Sequence, residues 1–249
     1  MPGALDGERT RGHDALAAEE ARLRAVYGRR GSPARETYLD AGQLFMLQGQ
    51  ERAVLRALRE QGVARLAPLR VLEIGCGSGR WLRQFVQWGA DPRNVAGVDV
   101  LQDRVERARA CCPPAMTIEV ANAAALPFAD GSFDVVLQSV VLSSVPDAAM
   151  RRRVAAEMRR VARPGGLILS YDLRVPNPAN PDVQPLTRGQ LRALFPDCPA
   201  RWRRVTLAPP LSRLVGPRSW LLATLLEAVP FLRTHWLAVL RVPVAGRPP

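Results

Sequence analysis

The sequence contains no lysine, and all 35 of its Lys+Arg residues are arginine. A Schiff base or an amine nucleophile is thereby excluded. Histidine is nearly as scarce: only His13 and His235 could do imidazole chemistry, and His13 sits in a polar leader. The four cysteines, Cys76, Cys111, Cys112 and Cys198, form no C-x-x-C pair and no other metal-ligand spacing. Neither a zinc site nor a disulfide framework is expected, and they read as cytoplasmic thiols. No apolar run reaches membrane-spanning length, and the first residues carry charges without an apolar stretch of signal-peptide size. The expected location is cytoplasmic.

The 249 residues suit one α/β domain with additions, and the 47% hydrophobic share is ordinary for a folded chain. A net charge of +12 would ordinarily raise nucleic acid as a partner. A basic set made wholly of arginine looks more like genome composition than a selected patch. Many arginines also alternate with acids along helix patterns, as at Arg104, Glu106, Arg107 and Arg109, which reads as solvated helix surface.

The most informative stretch is Val71-Leu72-Glu73-Ile74-Gly75-Cys76-Gly77-Ser78-Gly79. A short apolar strand runs into a glycine-rich turn, and a helical pattern follows from Arg80. Alternate glycines let backbone approach a ligand with no Cβ in the way, and the first amides of the helix point at whatever binds there. A dinucleotide fingerprint needs G-x-G-x-x-G, but the sixth position here is Arg80. That disfavours a nicotinamide oxidoreductase. Glu73, just before the turn, would repel a pyrophosphate and suits a ligand with a cationic group. The next strand-like run, Val95 to Val98, ends in Asp99. An acid at the tip of a second strand can accept both ribose hydroxyls, each charged hydrogen bond being worth roughly 1.5–3 kcal/mol.

Glu73, the Gly-x-Gly-x-Gly turn and Asp99 together resemble the class I S-adenosylmethionine (SAM)-dependent methyltransferases. The run from Asn122 through Leu126-Pro127-Phe128 to Phe133-Asp134-Val135-Val136 resembles the family's third and fourth signatures, and Arg163-Pro164-Gly165-Gly166 its turn before the fifth strand. The resemblance is good over residues 69–172 and poor in the flanks. It implies a doubly wound, Rossmann-like seven-stranded sheet, mostly parallel with an antiparallel last strand, plus N-terminal helices. Residues 1–42 read as a leader and helical segment, and 43–249 as the methyltransferase domain. The Leu-Pro-Phe and Arg-Pro-Gly-Gly motifs resemble the subgroup with quinone and secondary-metabolite methyltransferases.

The resemblance also implies roles. Asp99 would bind the ribose; Gly75, Gly77 and Gly79 would approach the methionine end of SAM by backbone; Glu73 would anchor its amino group. Asn122 stands where the family usually has aspartate, and would accept from the adenine amine through an uncharged carbonyl. The amide of Ala123 would face an adenine ring nitrogen. Gln138 and Ser139 would lie beside the transferable methyl. Asp172 is the positional candidate for a general base, or an anchor for the loop at 177–182, with Tyr171, Ser143, Ser144 and His235 behind it. The implied reaction moves a methyl from SAM to an oxygen, nitrogen or carbon of a small-molecule or lipid- or glycan-linked acceptor. The alternative is a SAM-binding sensor or partner subunit without transferase activity. Base methyltransferases carry Asn/Asp-Pro-Pro-Tyr after the fourth strand; Gln138-Ser139-Val140-Val141 here disfavours nucleic acid.

Around this core, Asp14 reads as the cap of a helix through Tyr27, and residues 43–61 as a second helix. Tyr38, Phe45 and Met46 could furnish a lid over the cofactor or plain core contacts. Residues 219–232 hold an apolar helix with Trp220, Leu221, Leu222, Leu225 and Leu226, read first as core. A peripheral membrane contact is the less favoured alternative, suggested by Arg213, Arg218 and Arg233.

Overall fold

Strand β1 (Val71–Ile74) is buried on both faces, as an apolar strand between helical layers must be. Its neighbours complete a seven-stranded sheet: β2 (Val95–Asp99), β3 (Thr117–Val120), β4 (Phe133–Ser139), β5 (Ala162–Leu173), β6 (Ala200–Leu207) and β7 (Arg233–Arg241). The spatial order is β3-β2-β1-β4-β5-β7-β6. The pairs from β3 to β5 are parallel; β7 alone is reversed, antiparallel to β5 on one side and β6 on the other. The computed structural model describes residues 18, 21–22, 24–26, 38–177 and 180–244. The expected leader before residue 14 lies outside them, as does most of the helix capped by Asp14.

Side-chain alternation along the strands divides the core. Val71, Leu137, Leu169 and Tyr171 face one layer, formed by helices α1 (Ala41–Glu60), α2 (Arg80–Gln87) and α3 (Gln102–Cys111). Leu72, Ile74, Val136 and Ile168 face the other, formed by α4 (Ala148–Val161) and α5 (Arg188–Leu194). Trp81, Leu82 and Phe85 of α2 are buried against the sheet. Gly97 makes room for them, because a Cβ there would sit 2.7 Å from Leu82 Cδ1. Truncating a buried Phe or Leu of this kind costs about 2–5 kcal/mol.

Helix boundaries follow caps. Asp40, Asp147 and Thr187 each accept a hydrogen bond from an amide of the first turn, and Thr187 forms a reciprocal capping box with Gln190. The sequence reading puts Arg163-Pro164-Gly165-Gly166 ahead of the fifth strand. It starts β5 too late: the strand begins at Ala162, and the Gly165-Gly166 step is absorbed as an irregularity opposite Phe133 and Val135. Gly165 has φ +76°. The chain leaves β6 through α6 (Pro209–Val215) and α7 (Trp220–Ala228) before returning as β7. Among α7's residues only Ala223 is buried, so the expected core helix is a surface helix. Phe45 and Met46 are buried, and Phe45 meets the Trp220 ring edge-on at 5.5 Å, a packing contact.

Candidate functional site

The carboxyl ends of β1, β2 and β4 open into a cleft of about 280 Å³. Its rim is the glycine turn, in which Gly75, Gly77 and Gly79 all have positive φ, at +69°, +54° and +79°. A Cβ on Gly75 would stand 2.4 Å from Val141 Cγ2 across the cleft, so both the backbone angle and the space call for glycine.

Asp99 forms the second wall. Its side chain is 5% exposed and ties the turn to β2: the Gly77 amide donates to Oδ2 at 2.9 Å and the Leu101 amide to Oδ1 at 3.0 Å. Burial pushes its carboxyl up, while these amides and the charge of Arg104 pull it back. Each carboxylate oxygen keeps acceptor capacity toward the cleft. Asn122, Ala123 and Ser139 line the same space. Asn122 Oδ1 accepts from the Ala124 amide at 2.9 Å, an Asx turn that fixes the side chain. Val98, Val145, Met150, Val154 and Val183 provide apolar walls.

Five of the expected residues therefore meet in the cleft: Gly75, Asp99, Asn122, Ala123 and Ser139. Glu73 is buried beneath the turn, and with Asp99 it helps to raise the Cys76 thiol, though burial is the larger cause. Gly77 and Gly79 shape the turn without lining the cleft. Gln138 and Asp172 are elsewhere. Gln138 pairs in register with Ser170, and parity turns Gln138, Ser170 and Asp172 to the same face, away from Ser139. There Asp172 accepts from Ser170 Oγ at 2.6 Å, from Gln138 Nε2, and from the Ser143 amide at 3.0 Å. Both residues are fully buried. This network acts on the cleft indirectly. Gln138 Oε1 accepts from the Val141 amide at 2.8 Å, holding a loop in which Val140 takes φ +64°. A β-branched residue at that angle is strained, and strain of this kind persists only where surrounding contacts fix it.

The sequence reading missed Arg104, Met150 and Asn180, which also line the cleft, as does Ser144, one of its reserve base candidates. Arg104 stands in the first turn of the helix that follows Asp99, a spacing that could have flagged it. Among the described residues no group of His, Cys, Asp and Glu could hold a metal ion, and all four cysteines are free.

The remaining base candidates lie outside the cleft, apart from Ser144, whose hydroxyl donates to the Val140 carbonyl at 2.6 Å. Tyr171 is hydrogen-bonded by Gln50 at 3.1 Å and shares a 2.6 Å bond with Thr206; His235 stacks on its ring at 4.6 Å. Burial pushes His235 down to about 4. Its folded pKa lies below the ordinary value near 6.5, so its contribution to stability is complete above about pH 6.5 and is lost as pH falls toward 4. Denaturant unfolding from pH 7 to 4.5 should show His235→Gln losing less stability than the parent, by up to about 1.4 kcal/mol per pH unit in that window. Parallel curves would mean that His235 is not held neutral.

A single reversed strand at the sixth position of a β3-β2-β1-β4-β5-β7-β6 sheet, with the turn after β1 facing an acid at the tip of β2, defines the Rossmann-like fold of class I methyltransferases. Residues 72–170 match the family model described as a methyltransferase domain. Over that stretch, which is less than half of its length, the chain is similar to the methyltransferase family. It is 38% identical over 105 residues to a 2-methyl-6-phytyl-1,4-hydroquinone methyltransferase of Synechocystis sp., covering 41% of this chain and 31% of that one. It is 38% identical over 116 residues to a 27-O-demethylrifamycin SV methyltransferase of Amycolatopsis mediterranei, covering 44% and 41%. The chain thus spans less than half the length of these curated relatives. In fold it resembles the crystal structure of the [4+2]-cyclase SpnF, with a TM-score of 0.60, 18% identity, and coverage of 80% of this chain and 83% of that one. The cleft fits SAM in its chemistry: a buried carboxylate for vicinal hydroxyls, a turn without side chains for close approach, and apolar walls for a flat ring.

Proposed function

We propose that the protein transfers the methyl group of SAM to an oxygen, nitrogen or carbon atom of a small-molecule or lipid- or glycan-linked acceptor. The observation that carries this reading is Asp99 on the wall of the cleft, hydrogen-bonded to the amide of Gly77 and facing the Cβ-free Gly75. SAM, when bound, supplies an electrophilic methyl on a positively charged sulfur. Asp99 accepts the ribose hydroxyls, Glu73 supplies negative potential beneath the methionine end, and Asn122 with the Ala123 amide receives the adenine. Ser139 and the loop held by Gln138 border the reacting centre. Apolar walls exclude water, and fixing the acceptor in line can contribute roughly 7–11 kcal/mol.

Asp172 serves in this reading as a positioning residue. With no described histidine on the cleft wall and Asp99 as its one carboxylate, the acceptor that fits best is already nucleophilic when it binds, such as a phenolate or an electron-rich carbon. The names of the two curated relatives, a hydroquinone and a rifamycin methyltransferase, support a small aromatic or lipophilic acceptor. The free thiols support a cytoplasmic location. The same shortage of bases favours the second reading, a SAM-binding sensor without transfer. Incubation with methyl-labelled SAM and a panel of phenolic and quinol acceptors separates the two. Acceptor-dependent label transfer with S-adenosylhomocysteine release supports the enzyme; binding without transfer to any of them supports the sensor.

Asn122→Asp should leave SAM affinity equal or raise it several-fold, because aspartate keeps the acceptor for the Ala124 amide and adds charge for the adenine amine. Calorimetric titration measures this. A tenfold or greater loss would place the adenine elsewhere.

A further inference from the structure

The α6–α7 insertion concentrates exposed apolar side chains at one end of the molecule. Of ten large hydrophobics exposed among the described residues, six lie between residues 209 and 232, including Leu221 at 72%, Leu225 at 58% and Phe231 at 73%. Packing joins this segment to the start of α1. Ser212 Oγ of α6 donates to the Gly42 carbonyl at 2.8 Å, tying α6 to the start of α1, and Trp220 of α7 packs on Phe45. Scattered surface leucines need no explanation, but six exposed apolar side chains on one insertion mark a contact surface.

The charges around the patch select its occupant. Arg213 and Arg218 are exposed within it. Beside α7, between α1 and β6, lies a cavity of about 700 Å³ whose walls include Arg52, Arg56, Arg203, Arg204 and Arg233. Glu227 pairs with Arg52, and Glu60 with Arg56 and Arg203, so two acids face five arginines. Arg233 is spent on the α7 carbonyls of Glu227 and Ala228. A second copy meeting this face about a twofold axis would set arginine against arginine. An anionic bilayer instead takes the apolar helix into its interface and the guanidinium groups onto its phosphates.

We infer that α7 and its neighbours dock on an anionic membrane surface, with the exposed Arg213 and Arg218 meeting lipid phosphate. β6 runs parallel to β1–β5, so its exit into α6–α7 lies at the same edge of the sheet as the glycine turn. A docked molecule presents its cleft end to the bilayer, where a lipophilic acceptor dissolves. The docking itself does not rest on methyl transfer.

Sedimentation of the full chain with phosphatidylcholine vesicles, with and without phosphatidylglycerol, tests this. Binding should require the anionic lipid and weaken in high salt. Leu221→Ser/Leu225→Ser and Arg213→Ser/Arg218→Ser should each reduce partitioning by about tenfold or more, with SAM affinity unchanged in both. These side chains are exposed, so folding is preserved. Absence of binding to anionic vesicles, or binding indifferent to the leucine pair, overturns the inference. So does self-association by light scattering that the leucine variant abolishes without any vesicle binding, which would assign the patch to a second copy.

Discussion

Asp99→Ala lowers affinity for SAM by about one to two orders of magnitude, the scale of lost charged hydrogen bonds. Two losses combine. In the proposed site the ribose loses its acceptor, and the Gly77 and Leu101 amides lose the carboxylate that links the glycine turn to the end of β2. Asp99→Asn keeps one carbonyl acceptor but turns an NH2 toward one of those two amides, so an intermediate loss is expected. Circular dichroism confirms that the variants are folded, and titration calorimetry reads the affinity. An unchanged dissociation constant for Asp99→Ala would remove this residue from the site.

Asp172→Asn lowers folding stability by about 2–4 kcal/mol, the sum of one or two buried polar groups left without partners. Everything around this carboxylate donates to it: Ser170 Oγ, Gln138 Nε2 and the Ser143 amide. Burial pushes the Asp172 carboxyl up, and these three donors oppose that shift. An asparagine must present its own NH2 to at least one of them. The Gln138 amide then shifts, and with it the acceptor that holds the Val141 amide at the cleft. A positioning role predicts a lower unfolding midpoint and a raised KM, with kcat largely retained in the folded fraction. A general base predicts the reverse: stability within about 0.5 kcal/mol of the parent and kcat reduced 10²-fold or more.

These two aspartates show what could be read before the structure. Asp99 was legible because a strand, a tight glycine turn and a second strand of defined length leave the acid one place to be. The doubly wound, mostly parallel sheet was legible as well, from strands alternating with helices, and its reversed last strand from the resemblance. Asp172 and Gln138 were not, because a strand residue's end of the sheet is visible in sequence while its face depends on pairing register. Ser139 faces the cleft, and Gln138, one residue earlier, faces α4. Helix α7 failed for another reason. Trp220, Leu221, Leu222 and Leu225 have the composition of a core helix, and only the packing of α1 and α6 shows that Ala223 alone is covered. Hydrophobicity announces burial against something, and does not say whether the partner is the same chain.

The central claim is that the cleft between Gly75 and Asp99 binds SAM. Calorimetric titration of the purified protein with SAM, S-adenosylhomocysteine and NAD tests it most directly. Micromolar binding of the first two at one site per chain, with none of NAD, is the expected result. No heat from SAM or S-adenosylhomocysteine with well-folded protein would contradict the cofactor assignment and leave only the fold.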